Sequence, residues 1–549
     1  MGRGVRWFCR LWVVFALGLA GAFIAPVTVF AHAYVISSNP AASQSFQKAP
    51  TQVEVQFDEN VQLSAQGLTV TDEDGKRVDS GDGKLDPANH HEIICHLPAS
   101  LPKGVYTIHW QVVSADGHTV EGTIPFGVQI DVKSLHLGAT QTGYTPGAAM
   151  LIDRTLEYIG MALVIGLALF FRFIWPASAG PAMRGWRRKL VYAAWALLAI
   201  GIAFSLPVQT AITWNVHGFA SFSPRDLLRT LNLTLFGYVW IVQMLLLLIA
   251  PPVLSALLNE RIKHRWWWIL TPVFCFPITK GLIGHAVAEN SPQMPVVADV
   301  IHLYAASIWV GGLTGMVLLM AVWIRSKETM QKQEIAMTVR RFSMVASASV
   351  IALAVTGFYT ALLHIPTWYA LFHTGYGQAL VVKLTLFIIM LLLAAVHWTR
   401  RKRLRMQSFR RLVLVELVVG LGIFFVASIL TNLPTGMSDP GPVHMRKTVE
   451  GTTMALSITP NQAGNNQFTV RLTGDNGQAV TAVQQVTLSF SSSTVAAGSD
   501  TLRLNEKAPG VYSVDGLALS GGGRWHVEID ALTDDYNQLD GEFSFAVGQ

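Results

Sequence analysis

Only three cysteines occur in 549 residues, and only 13% of the residues are charged. Cys9 falls in an apolar N-terminal stretch, while Cys95 and Cys275 fall in segments of different character, which argues against a disulfide framework and a thiolate metal site. No G-x-x-x-x-G-K-S/T phosphate loop and no phosphorylatable Asp-Lys-Thr-Gly is present, so nothing ties the chain to nucleotide hydrolysis. No haem or flavin motif is evident, and no internal repeat or low-complexity segment stands out. Methionine is absent between Met1 and Met150, which denies the first part of the chain a soft thioether cluster.

What is abundant is apolar: 51% of residues are hydrophobic and the mean hydropathy is +0.40, the composition of an integral membrane protein. Eight apolar stretches long enough to span a bilayer are expected near 152–175, 188–210, 232–256, 265–286, 296–324, 342–363, 378–398 and 411–431. Basic residues gather after the first, third, fifth and seventh: Arg184, Arg187, Arg188 and Lys189; Arg261, Lys263 and Arg265; Arg325, Lys327, Arg340 and Arg341; Arg400, Arg401, Lys402, Arg403 and Arg405. By the positive-inside rule those loops are cytosolic, and an even number of spans leaves both ends of the chain outside the cytoplasmic membrane. The net charge of +6 therefore reports topology, not a nucleic-acid partner.

Before the first span, short runs alternate apolar and polar residues, as in Val53-Glu54-Val55-Gln56-Phe57, Leu68-Thr69-Val70-Thr71 and Tyr106 to Val113. Turn residues separate them, predicting a β-sandwich or barrel over 32–135 and a linker over 136–150. The same alternation returns after the last span, in Phe468-Thr469-Val470-Arg471-Leu472 and Val486-Thr487-Leu488-Ser489-Phe490. The expected fold class is a mixed multi-domain membrane protein: an N-terminal β-sandwich or barrel, an eight-helix membrane domain over 151–432, and a C-terminal β-sandwich over 433–549.

The extreme N-terminus combines Arg3, Arg6 and Arg10 with an apolar run, Leu11 to Phe30, that ends in Val29-Phe30-Ala31, the pattern of a signal peptide over 1–31. Cleavage after Ala31 would give His32 a free α-amine beside its imidazole. Cleavage after Ala33 would discard it, and an uncleaved anchor would leave it no free amine. Asp116-Gly117-His118 adds a carboxylate and a second imidazole, and two imidazoles, an amine and a carboxylate suit tetragonal Cu(II). The α-amine competes only modestly with protons near neutrality, because its ordinary pKa is about 8. Asp-Gly is otherwise a common turn, and His90, His91 and His96 read as surface histidines. Asp72-Glu73-Asp74-Gly75 looks like the start of a calcium loop, but Lys76 and the early Gly75 make it a hairpin turn.

The segment Tyr106-Thr107-Ile108-His109-Trp110-Gln111-Val112-Val113-Ser114-Ala115-Asp116-Gly117-His118, with His32 and Phe57-Asp58-Glu59-Asn60-Val61, resembles the CopC family of extracytoplasmic copper-binding proteins. Gly284-His285-Ala286, Asp299-Val300-Ile301-His302 and Trp309-Val310-Gly311-Gly312 resemble the CopD membrane family, and Pro460 to Phe468 is similar to YtkA-like domains. That order resembles CopC–CopD fusion copper transport proteins. The resemblance implies one Cu(II) site formed by the His32 amine and ring, Asp116 and His118, with Glu59 in the second shell or as an axial ligand.

Ionisable groups at membrane depth are costly and are treated as functional by default. Asp299 and His302 stand one helical turn apart and so share a face, opposite His285 across a short external loop. These three are expected to receive copper, and Met316 and Met320, at i and i+4, are candidate soft ligands for Cu(I) further along the pathway, although methionine at that spacing also serves packing. The expected function is copper import without enzyme activity. The alternatives are copper resistance or delivery and, from a different class, oxidation by a histidine brace, against which Asp116 would fill the position oxygen needs. Copper ions, the lipid bilayer and an extracytoplasmic copper chaperone are the expected partners. Direction, coupling ion, reductant and oligomeric state are not encoded in any motif.

Overall fold

Along Gln52–Phe57 the side chains of Val53, Val55 and Phe57 are fully buried while Gln52, Glu54 and Gln56 stay half-exposed, the two-residue period of a strand with one face in a core. The computed structural model of the chain describes residues 35–41, 44–57, 61–114, 119–130, 140–141, 147–175, 184–214, 216, 218–258, 266–283, 293–325, 332–400, 406–492, 500–519 and 522–548. The expected signal peptide lies outside these residues.

The first domain is built from β1 (Val35–Asn39), β2 (Gln44–Phe46), β3 (Gln52–Phe57), β4 (Gln62–Thr71), β5 (Lys84–Leu85), β6 (Glu92–His96), β7 (Gly104–Val113), β8 (Thr119–Val128) and β9 (Thr140–Gln141). One sheet runs β1-β3-β6-β5 and the other β2-β8-β7-β4, with β9 on β8. Phe57 of the first sheet meets Trp110 of the second edge-on, ring centroids 5.3 Å apart. Fully burying side chains of this size stabilises by roughly 1.5–3 kcal/mol each. Asp72 closes the expected hairpin turn, its carboxylate accepting from the N–H groups of Asp74 and Lys76.

The membrane domain follows as α1 (Ala148–Leu169, continued by a π turn Phe170–Ile174), α2 (Arg184–Thr213), α3 (Pro224–Leu233), α4 (Leu235–Leu258), α5 (Trp266–Gly281), α6 (Gln293–Arg325), α7 (Lys332–His364), α8 (Trp368–His373), α9 (Gly375–Arg400) and α10 (Met406–Leu430). Among the described residues seven helices are long and apolar enough to cross a membrane, and α5, with 16 residues, stands where the fourth span is expected. α1 and α6 pack at the centre, and Gly166 meets Gly311 there: a Cβ on Gly166 would lie 2.5 Å from the Gly311 Cα. Small residues that bring backbones together serve where lipid gives helices little hydrophobic drive to associate. On the periphery α7 and α9 expose Ile351, Val355, Phe358 and Leu392. α3 and α8 are short helices that the sequence expectations lacked, and they expose Leu228, Leu233, Trp368 and Phe372.

The C-terminal domain comprises β10 (Val443–Val449), β11 (Thr452–Thr459), β12 (Gly464–Gly474), β13 (Val483–Ser492), β14 (Asp500–Ala508), β15 (Val511–Leu519), β16 (Gly523–Thr533) and β17 (Gln538–Val547). Their order is β10-β11-β12-β15-β14-β13-β16-β17. β14 changes partner along its length: Asp500–Leu504 pairs with β13 and Asn505–Ala508 with β15, so the two layers form one continuous, barrel-like path. The domain is tied to the α7–α8 connection, where Thr367 Oγ1 donates to the Pro440 carbonyl at 2.7 Å.

Candidate metal centres

His32, Glu59, Asp116 and His118, the four first-domain candidates, lie outside the described residues. The strands beside them are described, and their register is informative. Val35 of β1 pairs with Phe57, the last residue of β3. Gln62, which opens β4, pairs with Val113, and Val113 pairs with Thr119 across the β7–β8 hairpin. Within each sheet the strand ends adjoining the candidates are thus paired, and the short connection from Phe57 to Gln62 sets the two groups at the same end of the sandwich. Beneath that end Ser64 Oγ donates to Gln111 Oε1 at 2.7 Å, and Gln111 Nε2 donates to Glu121 Oε2 at 2.8 Å. The carbonyls of His91 and His90 accept from the N–H groups of Phe57 and Val61, fixing both ends of the connection that carries Glu59.

Elsewhere in this domain several titratable groups have structural partners. His96 Nδ1 lies 2.6 Å from Asp82 Oδ2, and His109 Nε2 lies 3.0 Å from Thr71 Oγ1, with burial lowering the His109 pKa. Burial pushes the Cys95 thiol up to about 12, so it is an inert core residue at neutral pH. Burial works against ionised Asp79, but Arg77 and the N–H groups of Val70 and Gly81 outweigh it and hold this carboxyl below its ordinary pKa.

In the membrane domain Asp299 and His302 are half-buried near the start of α6. His302 Nδ1 lies 2.9 Å from Thr356 Oγ1 of α7, an arrangement that fixes the ring and leaves Nε2 for another partner. Thr356 in turn donates to the Ala352 carbonyl. Lys383 of α9 is the charged group that Asp299 feels. His285 lies outside the described residues. Met316 and Met320 are each 1% exposed within the apolar core that also holds Met161. Among the described residues no three His, Cys, Asp or Glu side chains gather as a metal site.

The sequence expectations passed over an ionic cluster at this end of the domain. Asp153 and Glu157 of α1 are 5% and 1% exposed, and Lys280 at the end of α5 forms an ion pair with Glu157. Charges inside the first expected span were the available signal.

Comparison with known proteins bears on the whole length of the chain. The CopC domain family matches residues 35–129, the Copper resistance protein D-like N-terminal domain family 145–294, Copper resistance protein D 336–430, and FixH, the YtkA-like family, 444–540. The copper transport protein CutJ of Bacillus subtilis is 33% identical over 539 residues, spanning 96% of this chain and 98% of that protein. The chain belongs to the CutJ family of copper transport proteins. Copper resistance protein C of Xanthomonas campestris pv. juglandis is 31% identical over 20% of this chain and 91% of its own length. The crystal structure of CopC from Methylosinus trichosporium OB3b is 28% identical, covering 18% of this chain and 93% of that one, with a TM-score of 0.16. These relatives are named for copper transport and resistance and not as enzymes, and the helices are those of a multi-pass membrane protein.

Proposed function

We propose that the chain imports copper across the cytoplasmic membrane, with both soluble domains outside. The first domain captures Cu(II) through the His32 amine and ring, Asp116 and His118, with Glu59 near the metal. Copper then passes to His285, Asp299 and His302, and Met316 and Met320 supply soft ligands further in, where Cu(I) would be the cargo. The observation that carries this is the register of the first domain, which gathers at one end the strand termini adjoining all four candidate ligands. The His302–Thr356 contact adds support, because a metal-binding imidazole is commonly oriented through its second nitrogen.

Resistance or delivery is the rival, favoured by the descriptions of the two membrane-domain families as copper resistance proteins. Copper content of copper-starved cells separates the two. Import predicts less cell copper both without the protein and with His32→Ala. Unchanged or raised copper sinks import and favours resistance.

A further inference from the structure

We propose that Asp153, Glu157 and Lys280 form a proton-binding site that couples copper passage to proton movement. This rests on the reading of the membrane domain as a copper conduit. Asp153 and Glu157 are one turn apart on α1 and share a face. Both are nine-tenths or more buried, in a helix of the membrane domain. The ammonium of Lys280 pairs with Glu157 Oε2. Apart from that ion pair, no hydrogen-bond donor among the described residues reaches either oxygen of Glu157, and none reaches the buried Asp153 Oδ1.

The neighbouring groups are engaged elsewhere. Arg154 Nη1 donates to the Thr431 carbonyl at 3.3 Å, Tyr158 donates to Thr431 Oγ1 at 3.3 Å, and Thr155 meets Ser428. Toward the start of α6 the ionisable groups are Asp299, which feels the charge of Lys383, His302, held by Thr356, and Tyr304, which donates to the Phe274 carbonyl of α5. Past Tyr192 in α2 and past Glu416 in α10 neither helix carries an ionisable residue. Lys280 is thus paired with Glu157, and Arg154, the other cation close to Asp153, directs its guanidinium N–H to a carbonyl; Asp153 Oδ1 is left without a donor among the described residues in a setting where an unpaired charge is costly, and a proton is the cation that needs no further ligands.

The cluster also has a route to the copper site. Gly281, next to Lys280, packs on α6: a Cβ there would lie 2.7 Å from Val300 Cγ2, beside Asp299. The end of α5 is held on one side by the Glu157 ion pair and on the other by the chain segment that carries Asp299. A proton arriving on the carboxylates weakens the hold on Lys280 and frees the end of α5 to shift against α6. Its departure restores the pair, so each cycle returns the proton it took up.

The test uses the full chain in liposomes with a pH-reporting dye inside and copper ion added outside, comparing wild type with Asp153→Asn and Glu157→Gln. The expected result is a proton flux that accompanies copper in the wild type. Both variants should lose that proton flux and slow copper movement. Variants that move copper and protons like the wild type would overturn the proposal, and so would copper flux driven by a sodium gradient instead. Infrared spectroscopy of the wild type is a readout independent of transport. A protonated-carboxyl band that Asp153→Asn removes supports the site, and no such band in the wild type overturns it. A wild type that shows the band yet moves no copper counts against the conduit, not against the proton site.

Discussion

The two β domains hold strand histidines alike and differ at the ends of their sheets. In the C-terminal domain His444 on β10 lies 3.1 Å from Ser457 and His526 on β16 lies 2.7 Å from Ser544, each ring held at one nitrogen by a hydroxyl on a neighbouring strand, as His109 of the first domain is held by Thr71. Met454, close in sequence to His444, is fully buried in the core. In the first domain the strand termini that adjoin His32, Glu59, Asp116 and His118 converge at one end. Histidine on a strand face gains one neighbour from the sheet, whereas the described strand ends of the first domain adjoin four candidate donors. Residue type alone does not distinguish these cases; register shows which strand ends meet.

The sharpest way to break that contrast is to remove donors from each domain in turn. His32→Ala or Asp116→Asn is expected to weaken Cu(II) binding by more than about 100-fold, beyond the 10- to 100-fold typical of losing an outer-shell partner. Titration of the full chain with Cu(II) measures it, and binding that survives both changes would place the site elsewhere. Thr356→Val, which removes the hydroxyl that orients His302, is expected to reduce copper transport by about 10- to 100-fold with the first-domain site intact. An unaltered rate would separate His302 from the route.

Asp79 sharpens the comparison on the side of stability. Asp79→Asn is expected to destabilise the first domain by roughly 1 to 2 kcal/mol, because donors are left facing a neutral amide. Since its folded pKa is depressed, this contribution is fully present above the ordinary Asp value of about 3.9 and is lost as pH falls through the lower folded value. Hydrogen exchange of the β4 amides across acidic pH reads it out, and a wild-type advantage that persists below that folded value would contradict the assignment. The smallest effect is expected at His444→Ala, within about 0.5 kcal/mol in stability, as for an exposed position, with Cu(II) affinity unchanged. A large loss of copper there would erase the contrast between the domains.

Much of this architecture was legible in the sequence for definite reasons. Lipid thickness sets a minimum apolar length, so seven of the eight expected stretches coincide with span-length helices among the described residues, the fourth holding the shorter α5, and Val53, Val55 and Phe57 announce a half-buried strand. α7 begins at Lys332, about ten residues before the expected 342, because its polar first turns stay helical beyond the apolar stretch. α3 and α8 were missed because helices of 10 and 6 residues do not register in a span-length hydropathy window. The strand switch within β14 depends on pairing with two distant strands, which alternation alone does not specify. Of the sites, Asp299 and His302 were legible as ionisable groups one turn apart. The Glu157–Lys280 pair was not, since its partners come from α1 and α5 and meet only when the helices pack.

The most direct test of the hand-off between the first domain and the membrane is copper uptake by cells carrying His32→Ala, His302→Ala or both. If both residues serve one route, the double variant is as slow as the slower single variant and no slower. Losses that multiply, or uptake that does not respond to His32→Ala, would contradict a path from the first domain into the membrane helices.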